Sequence, residues 1–216
     1  PVRHRLDNWE LMSPLYKAFE QGAGGTAASM ELPPVPEYDR LSPKGLEIMD
    51  HQARFLESVR EGHRSFLLAD EPGLGKTAQS LIAASVAGAY PLLAVVPNVV
   101  KMNWAREVER WTPHRRATVI QGDGGQVDAF ADVFIVNYEI LDRHLAWLSS
   151  IGLKGMVVDE AHFIKNLSSQ RSQNVLALAS RIREQNAGSE PLMLALTGTP
   201  LINDVEDFDA IWRFLG

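Results

Sequence analysis

The sequence predicts an α/β fold in which helices cover both faces of a mostly parallel central sheet. Short, continuously apolar runs such as residues 91–96 are typical of strands that are buried on both sides. Segments with apolar residues at helical spacing lie between these runs, and this alternation is the pattern of parallel α/β sheets. A glycine-rich turn at residues 73–75 joins the first apolar run to the helix that follows it, which is a further feature of such folds.

Residues 1–37 are predicted to form an N-terminal arm and linker, and residues 38–216 the main domain. Residues 1–20 carry apolar points at helical spacing, but Pro14 limits the length of that helix. The stretch 22–36 is rich in glycine and proline, as linkers are. Since the chain begins at Pro1 and ends without a polar tail, we expect it to be a piece of a longer protein.

Within the main domain, periodicity and turn residues place the elements in order. Apolar residues from Leu46 to Val59 recur at helical spacing, and Asn98 is a candidate cap for the helix that ends near Trp111. The turn-rich residues 122–125 separate the third strand from the fourth. We predict helices over residues 46–59, 78–84, 98–111, 140–148, 172–184 and 205–214, and strands over residues 65–68, 91–96, 117–120, 133–136, 155–158 and 192–196.

Composition is that of a globular protein and excludes several kinds of chemistry. Hydrophobic residues make up 45% of the 216 residues and charged residues 22%, which suits one large domain with an appendage. The net charge of −6 gives no basic signature for nucleic acid, although a groove can be locally basic on an acidic body. Without cysteine there is no disulfide, cysteine zinc site or thiol nucleophile, and an intracellular location is expected. No apolar stretch approaches the ~20 residues of a membrane span, so we expect no membrane partner.

The turn after the first strand has the features of a phosphate-binding loop. It follows the pattern GxxxxGK[ST], except that Asp70 stands where the first glycine belongs. Glycines let consecutive N–H groups turn onto phosphate oxygens, and a helix N-terminus adds partial positive charge. Lys76 is expected to reach the β- and γ-phosphates, and the Thr77 hydroxyl to ligate Mg²⁺. The predicted nucleotide-binding residues of the loop are Asp70, Glu71, Pro72, Gly73, Leu74, Gly75, Lys76 and Thr77.

Two adjacent carboxylates follow the predicted strand 155–158. Asp159 is expected to hold Mg²⁺, through water, and Glu160 to orient and deprotonate the water that attacks the γ-phosphate. The competing interpretation is a strand that ends in a solvated acidic turn, but a phosphate loop earlier in the chain favours catalysis. The histidine that follows, His162, is by itself more often a capped or packed side chain.

Three of these segments carry a resemblance to a known family. Residues 70–77, 159–162 and 197–200 resemble motifs one, two and three of superfamily-two helicase-like ATPases, with Asp-Glu-Ala-His as the acidic box. They are most similar to the Swi/Snf-type DNA translocases, in which an aspartate at the first loop position is usual. Further matches follow in order over residues 46–216: residues 51–52, 96–98 with 103–104, 136–139 and 163–166.

The resemblance implies a RecA-like three-layer sandwich that is the first of two lobes, with ATP and Mg²⁺ bound between the lobes. It implies an ATPase that couples hydrolysis to translocation on double-stranded DNA, with Lys76, Asp159 and Glu160 as catalytic residues. The second lobe and its arginines have no counterpart in this sequence, so we expect this chain alone to hydrolyse ATP barely. Location would be the cytoplasm or nucleoid of a bacterium, or the nucleus of a eukaryote.

The resemblance also assigns roles outside the phosphate loop. Gln52 is expected to bind the adenine edge, which would favour ATP over GTP. His162, Thr197, Gly198 and Thr199 are expected to relay the state of the γ-phosphate. Backbone contacts to nucleic acid are expected at Pro97, Asn98, Lys101, Tyr138, Lys165, Asn166 and Asn203. The alternation of charge along residues 106–110 instead predicts a solvated helix face, and the spacing of Trp104 and Trp111 predicts core positions.

Two alternatives stay open at this point. An RNA helicase of the same superfamily would typically carry Ser-Ala-Thr at motif three, where this chain has Thr-Gly-Thr-Pro. A non-catalytic, nucleotide-gated binding module would be expected to lose at least one catalytic residue, whereas all of those assigned to the first lobe are present.

Overall fold

The structure, a computed structural model, describes residues 50–69, 75–198 and 209–216. The predicted arm at residues 1–37, the helix start at 46–49 and most of the phosphate loop therefore lie outside the described residues. In chain order the helices are α1 (Asp50–Arg60), α2 (Lys76–Ala87), α3 (Lys101–Trp111), α4 (Leu141–Leu148), α5 (Gln170–Gln185) and α6 (Asp209–Leu215). The strands are β1 (Ser65–Leu68), β2 (Leu92–Val96), β3 (Ala117–Val119), β4 (Val133–Asn137), β5 (Gly155–Val158) and β6 (Leu192–Leu196).

The strands form one six-stranded sheet in the order β1-β6-β5-β2-β4-β3, and every pairing is parallel. The predicted α/β fold with a parallel sheet is confirmed. Every residue of β2, β4, β5 and β6 is buried, as expected for strands covered on both faces.

Alternate residues of each strand pack against different helices, which gives the fold three layers. On one face, Leu92, Ala94 and Val96 of β2 pack into a core with α1, α2 and α3. On the other face, Leu93 and Val95 pack into a core with α4, α5 and α6. Because successive side chains of a strand point to opposite faces of the sheet, one apolar run contributes residues to two separate cores.

Many predicted boundaries differ from the structure by one to three residues, and α2, for example, spans Lys76–Ala87 rather than 78–84. Three of the differences bear on the predicted caps and strands. Residues 98–100 form a 3-10 turn before α3, and the residue that caps α3 is Val100, without a side-chain hydrogen bond, so the predicted capping role of Asn98 is wrong. Helix α5 begins earlier than predicted because the Ser169 side chain accepts a hydrogen bond from the Ser172 amide. Ile120 lies outside β3, although its amide continues the ladder to Ile135 at 2.8 Å.

No helix in the described part of the chain has the length and apolar character that crossing a membrane requires.

Candidate nucleotide-binding site

The predicted site residues follow the carboxyl ends of strands that are neighbours in the sheet. Because β6 lies between β1 and β5, the segments that leave these three strands emerge side by side. Backbone hydrogen bonds extend the pairing beyond the strands: the Thr197 amide donates to Leu68 O, and the Asp159 amide donates to Val95 O, both at 2.9 Å. This edge is where ligands bind in open α/β sheets.

The end of the phosphate loop is a left-handed glycine that opens helix α2. Gly75 has φ 72° and ψ 35°, a conformation that is costly for other residues, and it precedes Lys76 and Thr77 in the first turn. The first turn holds no acidic residue, so its N–H groups and Lys76 present positive charge at the sheet edge. Residues 70–74 lie outside the described part, and so does the side chain of Gln52 in α1.

Besides its backbone amide, Asp159 is held by hydrogen bonds at both carboxylate oxygens and at its backbone carbonyl. The Trp104 indole Nε1 donates to Oδ2 at 2.9 Å, and the Glu160 amide donates to Oδ1 at 2.9 Å. The Tyr138 hydroxyl donates to the backbone carbonyl of Asp159 at 2.5 Å. Burial raises the pKa of the Asp159 carboxyl, while the two hydrogen bonds to its oxygens and the charges of Lys76 and His162 lower it.

Glu160 has a strained backbone and a side chain that reaches solvent. Its φ of 52° makes it the non-glycine residue with positive φ among the described residues, and it opens the 3-10 turn Ala161–Ile164. Its side chain is 38% exposed, with Oε2 3.3 Å from Nδ1 of His162. A non-glycine residue in this region costs about 1–2 kcal/mol, and such strained residues cluster at functional sites.

The strain at Glu160 predicts that glycine and alanine substitutions there have the opposite order of stability from the order expected inside a helix. We expect Glu160→Gly to be more stable than Glu160→Ala by about 1 kcal/mol, since only alanine carries the Cβ that left-handed backbone disfavours. Exposed Gln173 inside α5 is the control, and there Gly should be less stable than Ala by about 1 kcal/mol. Urea unfolding of the four variants measures this, and the same order at both positions would contradict it.

His162 packs in a stacked group rather than pointing alone into the site. Its ring stacks on Phe163 at 4.9 Å and 24°, and the Arg171 guanidinium lies 4.9 Å from the centre of the Phe163 ring. Arg171 also pairs with Glu139 at 3.5 Å. Of the other predicted relay residues, Thr197 is buried and Gly198 is half-buried, whereas Thr199 lies outside the described residues.

The predicted nucleic-acid contacts divide into accessible and buried residues. Asn98 is exposed and Pro97 half-exposed, and Asn98 borders an open groove of about 680 Å³ beyond the ends of β3 and β4. Lys165 and Asn166 are exposed, and Asn203 lies outside the described residues.

Two of these predicted contacts are poorly placed for phosphate. The Lys101 side chain is buried, and its ammonium donates to Ile120 O at 2.6 Å and to Asn137 Oδ1 at 2.8 Å. Tyr138 is buried as well, and its hydroxyl donates a hydrogen bond to the backbone carbonyl of Asp159. The side chains of Lys101 and Tyr138 are therefore occupied inside the protein, which the family resemblance could not show, and only the predicted backbone contacts at these two residues stay open as predictions.

Sequence reasoning also missed what Trp104 does. Its predicted core position is confirmed, as is that of Trp111, and Arg106 and Arg110 are exposed as expected. Helical spacing indicates only that a residue faces the core, so nothing in the pattern pointed to the indole N–H of Trp104 as a partner of Asp159.

The donor set suits a magnesium ion that is bound together with phosphates. In the described ranges, no cluster of three or more His, Asp or Glu side chains is arranged to hold a metal by itself. One hydroxyl and one carboxylate, at Thr77 and Asp159, are the kind of partial set that Mg²⁺ completes with water and substrate phosphates.

The comparisons with known proteins identify the family. Residues 50–216 match the SNF2-related domain, and the chain belongs to this family. It is 34% identical over 177 residues to the ISWI chromatin-remodeling complex ATPase ISW1 of Saccharomyces cerevisiae, an alignment that covers 74% of this chain and 15% of the relative. It is 32% identical over 189 residues to the human SWI/SNF-related matrix-associated actin-dependent regulator of chromatin subfamily A member 1, covering 80% of this chain and 17% of the relative.

Solved structures of the same family share the fold. The Sulfolobus solfataricus SWI2/SNF2 ATPase core in complex with dsDNA is 30% identical, with a TM-score of 0.66, and the match covers 77% of this chain and 35% of that chain. The same organism's SWI2/SNF2 ATPase core domain gives a TM-score of 0.63 at 28% identity, over 90% of this chain and 39% of that chain. The resemblance to Swi/Snf-type ATPases and the RecA-like fold are therefore confirmed, and the chain spans about one sixth of the length of the curated relatives.

Proposed function

We propose that this chain is the ATP-binding lobe of an SNF2-type ATPase that couples ATP hydrolysis to translocation on double-stranded DNA, in remodelling or repair. The observation that carries the proposal is the pair Asp159 and Glu160 at the end of β5, where the charge of Lys76, in the first turn of α2, acts on the Asp159 carboxylate. Family membership over residues 50–216 supports the same conclusion. The curated relatives named above are a chromatin-remodeling complex ATPase and a regulator of chromatin, which favours a nuclear location in a eukaryote, or the nucleoid in a bacterium.

In this proposal each residue of the site has a distinct role toward ATP and Mg²⁺. Lys76 neutralises phosphate charge, Thr77 and Asp159 hold the metal ion, and Glu160 accepts a proton from the attacking water. Bound Mg²⁺ would supply positive charge to the phosphate oxygens. Residues 70–75 cradle the phosphates, Gln52 binds adenine, and His162 with residues 197–199 relays the nucleotide state.

The proposed partner along the groove is the phosphate backbone of duplex DNA. Support comes from the accessible predicted contacts and from the dsDNA that is bound in the structure of the Sulfolobus relative. Contacts by backbone amides and short polar side chains would hold phosphates without reading sequence. The accessible contacts in this proposal are Pro97, Asn98, Lys165, Asn166 and, outside the described residues, Asn203.

The proposal also assigns residues 38–216 to the first lobe, with residues 1–37 as an arm and linker. A second RecA-like lobe of the full-length protein would supply the arginines that complete the ATP site, a contribution that can reach about 10³–10⁵-fold in rate. We therefore expect residues 1–216 alone to show little or no ATP turnover, with or without DNA.

Steady-state ATPase assays on the full-length protein and on residues 1–216 test the proposal. We expect duplex DNA to stimulate the full-length protein and single-stranded RNA to leave its rate unchanged. Stimulation by RNA alone would favour the RNA helicase, and Mg²⁺·ATP binding without turnover on any nucleic acid would favour a nucleotide-gated module. DNA-stimulated turnover by residues 1–216 would show that no second lobe is needed.

A further inference from the structure

Trp104 is a buried residue of helix α3 that forms a hydrogen bond with Asp159, the first residue of the acidic pair Asp159 and Glu160. Its side chain is fully buried in the core between α3 and the sheet, yet its single polar atom is aimed at the site. Nε1 donates to Asp159 Oδ2 at 2.9 Å, across a separation of 55 positions in the chain. An indole N–H can only donate a hydrogen bond, so its partner must be an acceptor such as a carboxylate oxygen.

The hydrogen bond controls the one soft torsion of the Asp159 side chain. The terminal torsion of an aspartate is broad, so a carboxylate with one neighbouring donor can still rotate. The Glu160 amide holds Oδ1, but this donor belongs to the next residue and moves with it. Trp104 holds Oδ2 from a different element, and the two bonds together fix the plane of the carboxylate.

Both carboxylate oxygens keep capacity for a further partner. A carboxylate offers about four lone-pair positions, and Trp104 and the Glu160 amide occupy one on each oxygen. The remaining positions are available to accept a hydrogen bond from a metal-bound water. The arrangement thus resembles the way in which neighbouring groups orient metal ligands in many proteins.

We propose that Trp104 is a positioning residue that orients Asp159 for Mg²⁺·nucleotide, an inference that rests on the function proposed above. Its N–H does not touch nucleotide, and its effect passes through the carboxylate. The competing explanation is that Trp104 only fills the core between α3 and β2. The two explanations differ in whether loss of the N–H, without loss of volume, changes the dependence of nucleotide binding on Mg²⁺.

The experiment replaces Trp104 in the full-length protein by 3-benzothienylalanine, an isostere of tryptophan that lacks the N–H, and in parallel by phenylalanine. The dissociation constant for ATP is measured by calorimetry in Mg²⁺ and in EDTA, and the apparent Mg²⁺ constant is measured from ATPase titrations. Loss of a partner that orients a metal ligand typically lowers metal affinity by about 10–100-fold. We expect the apparent Mg²⁺ constant to rise by about 10-fold, with ATP affinity in EDTA and the unfolding midpoint of the isostere variant unchanged.

Trp111 provides the matched control on the same helix. Its Nε1 donates to Glu107 Oε2 at 2.7 Å, which is also an indole-to-carboxylate bond, and it lies at the other end of α3. The same replacements at Trp111 should leave the apparent Mg²⁺ constant unchanged. Because the isostere keeps the volume of tryptophan, the isostere variant can still be measured even if Trp104→Phe does not fold.

Three results would overturn the inference, and they are distinguishable. An isostere variant with the Mg²⁺ dependence of the wild type would leave Trp104 a packing residue. Equal loss of ATP affinity in Mg²⁺ and in EDTA would indicate a general distortion of the site. A wild-type protein whose ATP affinity is the same in Mg²⁺ and in EDTA would overturn the proposed function itself, and the role of Trp104 with it.

Discussion

We expect Glu160→Gln to lower the DNA-stimulated ATPase rate of the full-length protein by about 10³-fold while ATP affinity stays within about twofold of wild type. General-base catalysis by a positioned side chain contributes typically 10²–10⁴-fold, and glutamine cannot accept the proton. Glutamine keeps the shape of glutamate, so the left-handed backbone and the 3-10 turn that follows should be retained.

The geometry favours Glu160 over its neighbour Asp159 as the proposed base. Both oxygens of Asp159 accept protein hydrogen bonds, which fix the orientation of the carboxylate as a metal site needs and partly oppose the rise in its pKa that burial causes. The side chain of Glu160 is 38% exposed and has His162 beside it at 3.3 Å. A carboxylate with access to solvent at the end of β5 is suited to take a proton from water.

Glu107→Gln is the matched control for Glu160→Gln. Glu107 is a half-buried glutamate that pairs with Arg110 and Trp111 on α3, away from the sheet edge. Its substitution should leave the ATPase rate within about twofold of wild type. A rate for Glu160→Gln within tenfold of wild type would exclude Glu160 as the base. Parallel loss of ATP binding would indicate that the substitution disturbed the loop rather than proton transfer.

Much of this fold could be predicted because the elements that determine it have strong local patterns. Strands such as β2 and β6 are short apolar runs with every residue buried, and no other element fits so short a run beside turn residues. The acidic pair could be predicted for the same reason, since the end of a parallel strand defines an edge of the sheet. The spacing of motifs along the chain was therefore sufficient to locate the site.

The features that sequence could not predict depend on which polar atoms meet in three dimensions. The left-handed backbone of Glu160 has no sequence pattern, because glycine is the residue that ordinarily indicates positive φ. The bonds of Trp104 and Tyr138 to Asp159 join residues far apart in the chain, and the residue types alone indicate only burial. The arrangement of donors around the acidic pair is thus a property of tertiary packing.

Lys101 shows most clearly that burial can give a side chain a different role from the one that its residue type suggests. A lysine near a groove is expected to bind phosphate, but this side chain is only 5% exposed. Burial lowers the pKa of its ammonium, and the charge of Glu139 partly opposes this effect. Its two hydrogen bonds tie α3 to the residues that follow β3 and end β4. Lys101 is therefore part of the structure under the groove.

We expect Lys101→Ala to lower the free energy of unfolding by about 2–4 kcal/mol. The substitution removes two hydrogen bonds from a charged donor and leaves Ile120 O and Asn137 Oδ1 without that partner, and each such loss costs about 1–3 kcal/mol. Urea unfolding of the 216-residue chain measures the effect. Lys154, whose side chain is exposed, is the control, and Lys154→Ala should change stability by less than about 0.5 kcal/mol.

The salt dependence of DNA binding separates this structural role from a phosphate contact. Each phosphate neutralised by a lysine contributes about 0.9 to the slope of log affinity against log salt. In the full-length protein, Lys101→Ala should leave that slope unchanged at a temperature where the variant is folded, whereas exposed Lys165→Ala should reduce it by about 0.9. A reduced slope for Lys101→Ala with wild-type stability would return this lysine to the DNA interface, because its ammonium would then have to leave the two acceptors that hold it.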